Sequence, residues 1–287
     1  MGISIALPFL PWQHQLQHIV ASCTTSATNE TIVFHDKFDR HGVIKEARSM
    51  SNSSDQNWWV SSGGYLYLNN GTASTIQGKL AKNDTIRIAY SDKGDDTDKG
   101  YRPQNIFRMV NRNNWSGNYT EELYFKYSAY NNKTAHGKNL GAENGVSLMV
   151  NYKDEDNLYY VGLRADGLAG IKKKIDGNYS ALQNPVKVFP GVYKPNDTLI
   201  PQDKWIGLRA VVEHRQSLLL GKDQIYIAMY IDEKGDGSSW KYVTSFLDER
   251  KIFKQGHTGI RTDFIDAQFR DFQVNPRDST VVCMHMT

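Results

Sequence analysis

A chain of 287 residues can bury roughly 75% of the surface its unfolded form exposes, so a core needs neither disulfides nor a metal. Its 39% hydrophobic and 11% aromatic content excludes a disordered chain. With 34 basic against 31 acidic residues, a net +3, it lacks the basic excess of a dedicated nucleic-acid binder, and no apolar run reaches the ~20 residues of a bilayer span. One soluble domain with short tails is expected.

Residues 1–31 read as a leader or unstructured segment. Ile3 to Trp12 is apolar but broken by Pro8 and Pro11, and no Lys or Arg precedes it, unlike a secretory signal. Val20-Ala21-Ser22-Cys23 has the look of a lipoprotein cleavage box without the apolar stretch that should precede it. Asn-X-Ser/Thr triplets begin at Asn29, Asn52, Asn70, Asn83, Asn114, Asn118, Asn132, Asn178 and Asn196. They are acceptors for N-glycosylation if the chain is exported, and partly a product of its Asn, Ser and Thr content. An extracellular or cell-surface setting is the expectation.

From residue 32 to 275 the hydrophobic period is two. Val146–Tyr152, Leu158–Arg164, Trp205–Val212 and Ile225–Ile231 alternate and are bounded by Gly, Asn, Asp or Pro, as half-buried strands are. Asp166-Gly167, Asp176-Gly177 and Asp236-Gly237 are tight-turn signals. Many strands with turn chemistry between them mean an all-β sandwich or barrel. Two acidic loops could take calcium: Asp92, Asp95, Asp96 and Asp98 in one, Asp232 to Gly237 in the other. Neither has EF-hand spacing, and the second is equally a hairpin turn. No cofactor is required by anything else in the chain. Residues 276–287 form a C-terminal tail containing Cys283. It and Cys23 are the only cysteines, and they read either as a disulfide clasping the ends or as two free thiols.

Three segments carry a resemblance. Phe34-His-Asp36-Lys-Phe38-Asp39, Asp156-Asn-Leu-Tyr-Tyr-Val-Gly-Leu-Arg164, and Gly259-Ile-Arg261 with Ala267-Gln-Phe269-Arg-Asp271-Phe272-Gln-Val274 resemble concanavalin A-like (laminin-G-like) jelly rolls. The resemblance covers about residues 33–274. It implies a two-sheet antiparallel jelly-roll sandwich whose last strand pairs beside its first. It implies little about activity, because lectins, glycosidases, lyases and adhesion modules share the fold.

Alternation sorts each strand into faces. Tyr159, Val161 and Leu163 read as core, as do Ile206, Leu208, Ala210 and Val212, then Ile225, Ile227, Met229 and Ile231, and finally Leu123, Phe125 and Tyr127. The opposite faces then carry Arg108, Tyr124, Lys126, Tyr130, Tyr160, Arg164, Trp205, Arg209, Tyr226 and Tyr230. Flat rings and guanidinium groups on one face suit sugar rings and their carboxylates or sulfates. Arg108, Tyr124, Tyr160, Arg164, Trp205, Arg209, Tyr226 and Tyr230 are the expected ligand-binding set, and the expected function is recognition of a polysaccharide in an aromatic, cationic groove.

The alternative is a lyase. Tyr124-Phe-Lys126-Tyr-Ser128-Ala-Tyr130-Asn131 resembles the Y-F-K-x-G-x-Y-x-Q strand of jelly-roll alginate lyases, which implies Tyr130 as the catalytic tyrosine and Lys126 as a substrate contact. Arg108, Arg164 or Arg209 would neutralise the uronate. Ser128 stands where that motif has glycine, and its histidine and arginine-glutamate-arginine elements are missing. A third reading is a surface module with no free ligand. The strand motif of jelly-roll glucanases is absent: Glu121 and Glu122 are adjacent and point opposite ways, which disfavours a retaining hydrolase. His35, His41, His136, His214 and His257 are scattered and assemble no catalytic set.

Overall fold

The computed structural model describes residues 34–131, 144–190, 199–216, 221–250 and 253–277. By its internal contacts Thr31–Ser279 forms one unit, and Met1–Glu30 with Thr280–Thr287 lie outside the described residues, as do Cys23, Cys283 and His136. The period-two segments become strands. In chain order these are β1 (Phe34–Asp36), β2 (His41–Lys45), β3 (Trp58–Ser62), β4 (Tyr65–Asn69), β5 (Ala73–Thr75) and β6 (Ile106–Ser116). Then come β7 (Tyr119–Tyr130), β8 (Gly145–Asp154), β9 (Asn157–Arg164), β10 (Leu168–Ile175), β11 (Asn178–Ala181) and β12 (Val186–Lys187). The last are β13 (Ile206–Gln216), β14 (Asp223–Asp232), β15 (Lys241–Asp248), β16 (Gln255–Asp263) and β17 (Ile265–Pro276). A short helix, α1 (Thr85–Ala89), is capped by the Asp84 carboxylate, which accepts from the Ile86 and Arg87 amides.

The first sheet runs β15-β14-β13-β7-β17-β5-β4-β2, with β1 paired to β17; the second runs β11-β10-β9-β8-β16-β6-β3, with β12 on β10. Every strand pair is antiparallel among the described residues. This is the two-sheet jelly-roll sandwich that the concanavalin A-like resemblance implies, and its first and last strands are neighbours: Phe34 opposes Val274 and Asp36 opposes Phe272. The opening motif has a local purpose. Asp36 is buried and accepts from the Phe38 amide and the Trp58 indole, both at 2.7 Å, while Arg40 forks onto it. Trp58 meets Phe272 edge-on at 4.8 Å, which locks the first strands onto the last.

The core lies between the sheets and takes the inward residues that alternation assigns on β7, β9, β13 and β14. One strand departs. In β7, Ala267 pairs with Tyr127 but Asp266 pairs with Ala129, so Ser128 is an extra residue and the alternation shifts. Tyr130 therefore falls opposite the core residue Ile265 and packs against the core instead of sharing a face with Tyr124 and Lys126.

Candidate functional site

The outward side of the second sheet carries a cleft of about 400 Å³. Its floor follows from strand register. Reading across the sheet, Ser62 of β3 opposes Arg108 of β6, which opposes Arg261 of β16; then come Ser147 of β8, Gly162 of β9 and Gly170 of β10. Neighbouring strands lie ~4.8 Å apart, so the last three make a floor of small residues beside two arginines, with the Ser147 side chain lying over Gly162 and Gly170 left bare. Gly162 cannot be larger without a shift: a Cβ there would sit 2.3 Å from the Ser147 Oγ. Gly170 is different, since its Cβ would meet only the Pro185 Cα at 3.8 Å and would otherwise point into the cleft.

The wall on one side is a compact polar stack. The Arg261 guanidinium is half-buried and bonds both Asp263 oxygens, from Nε at 2.8 and 3.1 Å and from Nη2 at 2.9 Å. Its Nη1 donates to the hydroxyls of Tyr160 and Tyr179, each at 2.8 Å. Burial works against its charge, but the Asp263 carboxylate and the tyrosines outweigh that and hold its pKa well above the usual value. Burial also pushes the Tyr160 phenol up, so it stays protonated. The two rings stack at 6.0 Å, with Tyr160 4% exposed and Tyr179 53% exposed. Both phenol oxygens accept from Arg261, and at most one phenolic hydrogen bridges the pair, so the other is free of it.

The far side is lined by Arg164, whose Nε and Nη2 reach the buried Asp166 carboxylate at 3.2 and 2.5 Å. Lys172 and Gln183 complete the polar lining, and the Gln183 Nε2 is buried without a hydrogen-bond partner among the described residues.

Of the sequence candidates, Tyr160 and Arg164 line this cleft, and Arg108 lies on the same sheet face beside Arg261 in register, bonded to Glu155 at 2.8 Å. The rest do not join them. Tyr124, Lys126, Trp205, Arg209, Tyr226 and Tyr230 lie on the outward side of the first sheet, across the whole sandwich, so one groove cannot collect the set. Most of those rings already hold a cation of this chain. Arg209 lies 4.0 Å over Trp240, Arg270 sits 4.5 Å from Trp205 and 5.5 Å from Tyr124, Lys126 covers Trp205 at 5.1 Å, and Arg215 covers Tyr226 at 4.0 Å. Tyr230 instead packs edge-on against Tyr242 at 5.7 Å. The lyase pair is separated by the bulge at Ser128, which turns Tyr130 toward the core and leaves Lys126 over Trp205 on the outer face.

Among the described residues no three His, Cys, Asp or Glu side chains gather as a metal site. Asp98, from the first acidic loop with Asp92, Asp95 and Asp96, pairs with Lys79 at 3.0 Å. Asp232 closes its own turn by accepting from the Lys234 and Gly237 amides and the Ser239 hydroxyl, and those bonds bring its pKa below normal although partial burial pulls the other way. His35 contacts Asp271, and the His257 Nδ1 lies 3.0 Å from the Asn111 carbonyl. Asn52, Asn70, Asn83, Asn114 and Asn178 of the triplets are exposed, while the Asn118 side-chain oxygen is held by the His214 amide. No described helix is long and apolar enough to cross a membrane.

Sequence reasoning passed over Arg261, Asp263, Tyr179, Lys172 and Gln183. Arg261 carried a signal: alternation around Ile260 places it on the face shared by Arg108. Gln183 carried none.

No family model matches the chain, and no curated protein matches it. Solved structures that it resembles include the carbohydrate binding module CBM66 from Bacillus subtilis, at 14% identity over 77% of this chain and 97% of that one, with a TM-score of 0.43. The GH43 protein BlXynB from Bacillus licheniformis, as a mutant, gives 12% identity over 85% of this chain and 39% of its own, with a TM-score of 0.46. The exoplasmic/lumenal domain of VIP36, in its Ca2+/Man3GlcNAc-bound form, gives 8% identity over 77% and 83%, with a TM-score of 0.45. The likeness is one of overall fold and goes no further.

Proposed function

We propose that the chain is a carbohydrate-binding jelly-roll domain and that the saccharide lies in the second-sheet cleft. The observation that carries this is the floor: Ser147, Gly162 and Gly170, in register on three adjacent strands, present no side chain larger than a serine and leave room for a flat ring above them. Tyr179, stacked on Tyr160 and with Lys174 5.0 Å over its ring, keeps an exposed edge and hydroxyl for the sugar, and the Arg164 guanidinium offers donors to the sugar oxygens. A concave patch with few polar groups converging on an otherwise bare surface is what a small-molecule site requires.

Electrophoresis in gels containing polysaccharide tests the reading. Gly170→Leu fills the cleft from a position with no backbone obstacle, so the variant folds and loses retardation. Tyr179→Ala weakens retention about tenfold, the loss of one aromatic edge and its hydroxyl. Retardation that Gly170→Leu leaves intact would move the ligand off this face and end the proposal.

A further inference from the structure

We infer that the saccharide is anionic, with Lys172 receiving its carboxylate or sulfate; this rests on the cleft being the sugar site. The inference comes from the run Lys172-Lys173-Lys174 on β10, whose members meet three different fates. Lys173 points inward and is buried against Asp248 and the Arg250 carbonyl. Lys174 points outward and is spent on Asp156 at 2.8 Å and the Glu155 carbonyl at 2.9 Å. Lys172 also points outward, is half-buried in the cleft lining, and has no ion-pair or hydrogen-bond partner among the described residues.

The cleft's other cations are already neutralised. Arg261 is matched by Asp263 and Arg164 by Asp166, each through two donors, so among the described residues the lining carries one uncompensated positive charge and it is on Lys172. The half-buried residue rests its stem in the lining, which leaves its ammonium to meet an anion that enters the cleft. The position suits that anion. Lys172 opposes Tyr160 in register, and Gly170 opposes Gly162 two residues away, a strand rise of about 7 Å. A ring on the glycine floor therefore has its edge substituents within reach of a flexible ammonium on one side and of Arg164 on the other. A charge-assisted hydrogen bond from Lys172 then separates an acidic sugar from its neutral counterpart.

Titration calorimetry with three probes of equal length decides the matter: β-1,4-linked oligoglucuronate, cello-oligosaccharide, which is the same chain with hydroxymethyl groups for carboxylates, and sulfated cello-oligosaccharide. One or both acidic probes bind about tenfold or more tighter than the neutral one, with a preference that shrinks as salt is raised. Which of the two wins tells carboxylate from sulfate. Lys172→Met keeps the apolar stem and erases the preference, bringing the acidic probes down to the affinity of the neutral one. Neutral binding as strong as acidic binding, spared by Lys172→Met and lost in Gly170→Leu, would overturn the anion assignment alone and leave the sugar site standing. Acidic preference that survives Lys172→Met would overturn it too. Silence from all three probes would remove both.

Discussion

Glu121 is a carboxyl group inside an apolar core. It projects inward from β7 between Tyr119 and Leu123, is wholly buried, and accepts from the Gly259 amide of the opposite sheet at 3.0 Å, while its second oxygen has no partner among the described residues. Gly259 sits at the register shift of β16, with its backbone pressed so closely on β6 that a Cβ would lie 2.3 Å from the Met109 carbonyl. Burial drives the Glu121 pKa well above its normal value, and the single amide donor only partly opposes this. A raised folded-state pKa means that the folded protein holds a proton the unfolded chain releases. Its stabilising contribution is complete below the unfolded value near 4.5 and is lost as pH rises through the folded one. Glu121→Gln mimics the protonated form. Chemical denaturation is expected to find it close to the parent at pH 4 and about 1–3 kcal/mol more stable at pH 8. A parent that matches or exceeds the variant at pH 8 would contradict the assignment.

The outward ornament of the first sheet belongs to its elements. Gly207 of β13 lies where a Cβ would meet Trp240 at 2.8 Å and Tyr124 at 3.0 Å, so the indole rests on bare strand and Arg209 covers it. Arg270 reaches from β17 to the Gly235 carbonyl at 2.6 Å and fastens the turn after β14 to the sheet. Trp240→Ala removes the ring on which this packing closes and should cost about 2–3 kcal/mol in thermal or urea unfolding, with sugar binding on the other sheet unchanged. Lost binding without lost stability would return this face to candidacy as a ligand surface. How much was legible in the sequence follows from the same elements. Period-two alternation identified the inward residues of β7, β9, β13 and β14, because it depends on local backbone geometry alone. It did not reveal which of the two sheets a strand joins, a matter of long-range pairing, so Tyr160 and Trp205 looked like companions although a sandwich separates them. It also failed at Ser128, where one inserted residue reverses Tyr130 and no local feature of the sequence announces it. The glycine floor was hidden for a related reason. Gly162 and Gly170 mean little until register sets them side by side.

At the scale of the molecule, the open edge of the sandwich is clasped by charge. Lys173 and Tyr159 oppose each other on β10 and β9, and both reach Asp248, which ends β15 of the other sheet; the tyrosine hydroxyl donates to it at 2.7 Å. Burial foremost, and then the Asp248 carboxylate, push the Tyr159 phenol far above its ordinary range, so it remains a donor. A hollow of about 690 Å³ opens beside this clasp, between Leu182 on one side and Phe246 and Leu247 on the other. Lys173→Met strands a carboxylate in that interior and is expected to cost about 3–5 kcal/mol by urea denaturation, whereas Lys173→Met with Asp248→Asn costs clearly less. Equal losses in the two variants would mean that the pair is not coupled. A different property follows from β1 lying against β17. The backbone arrives at Phe34 and departs past Val274 through the same doorway, two antiparallel threads one strand spacing apart. A sandwich with both leads at one corner behaves as a cassette: it can be spliced into a surface loop of a host protein without prying that host apart, and it would hold its cleft away from the splice on a sheet that neither lead joins.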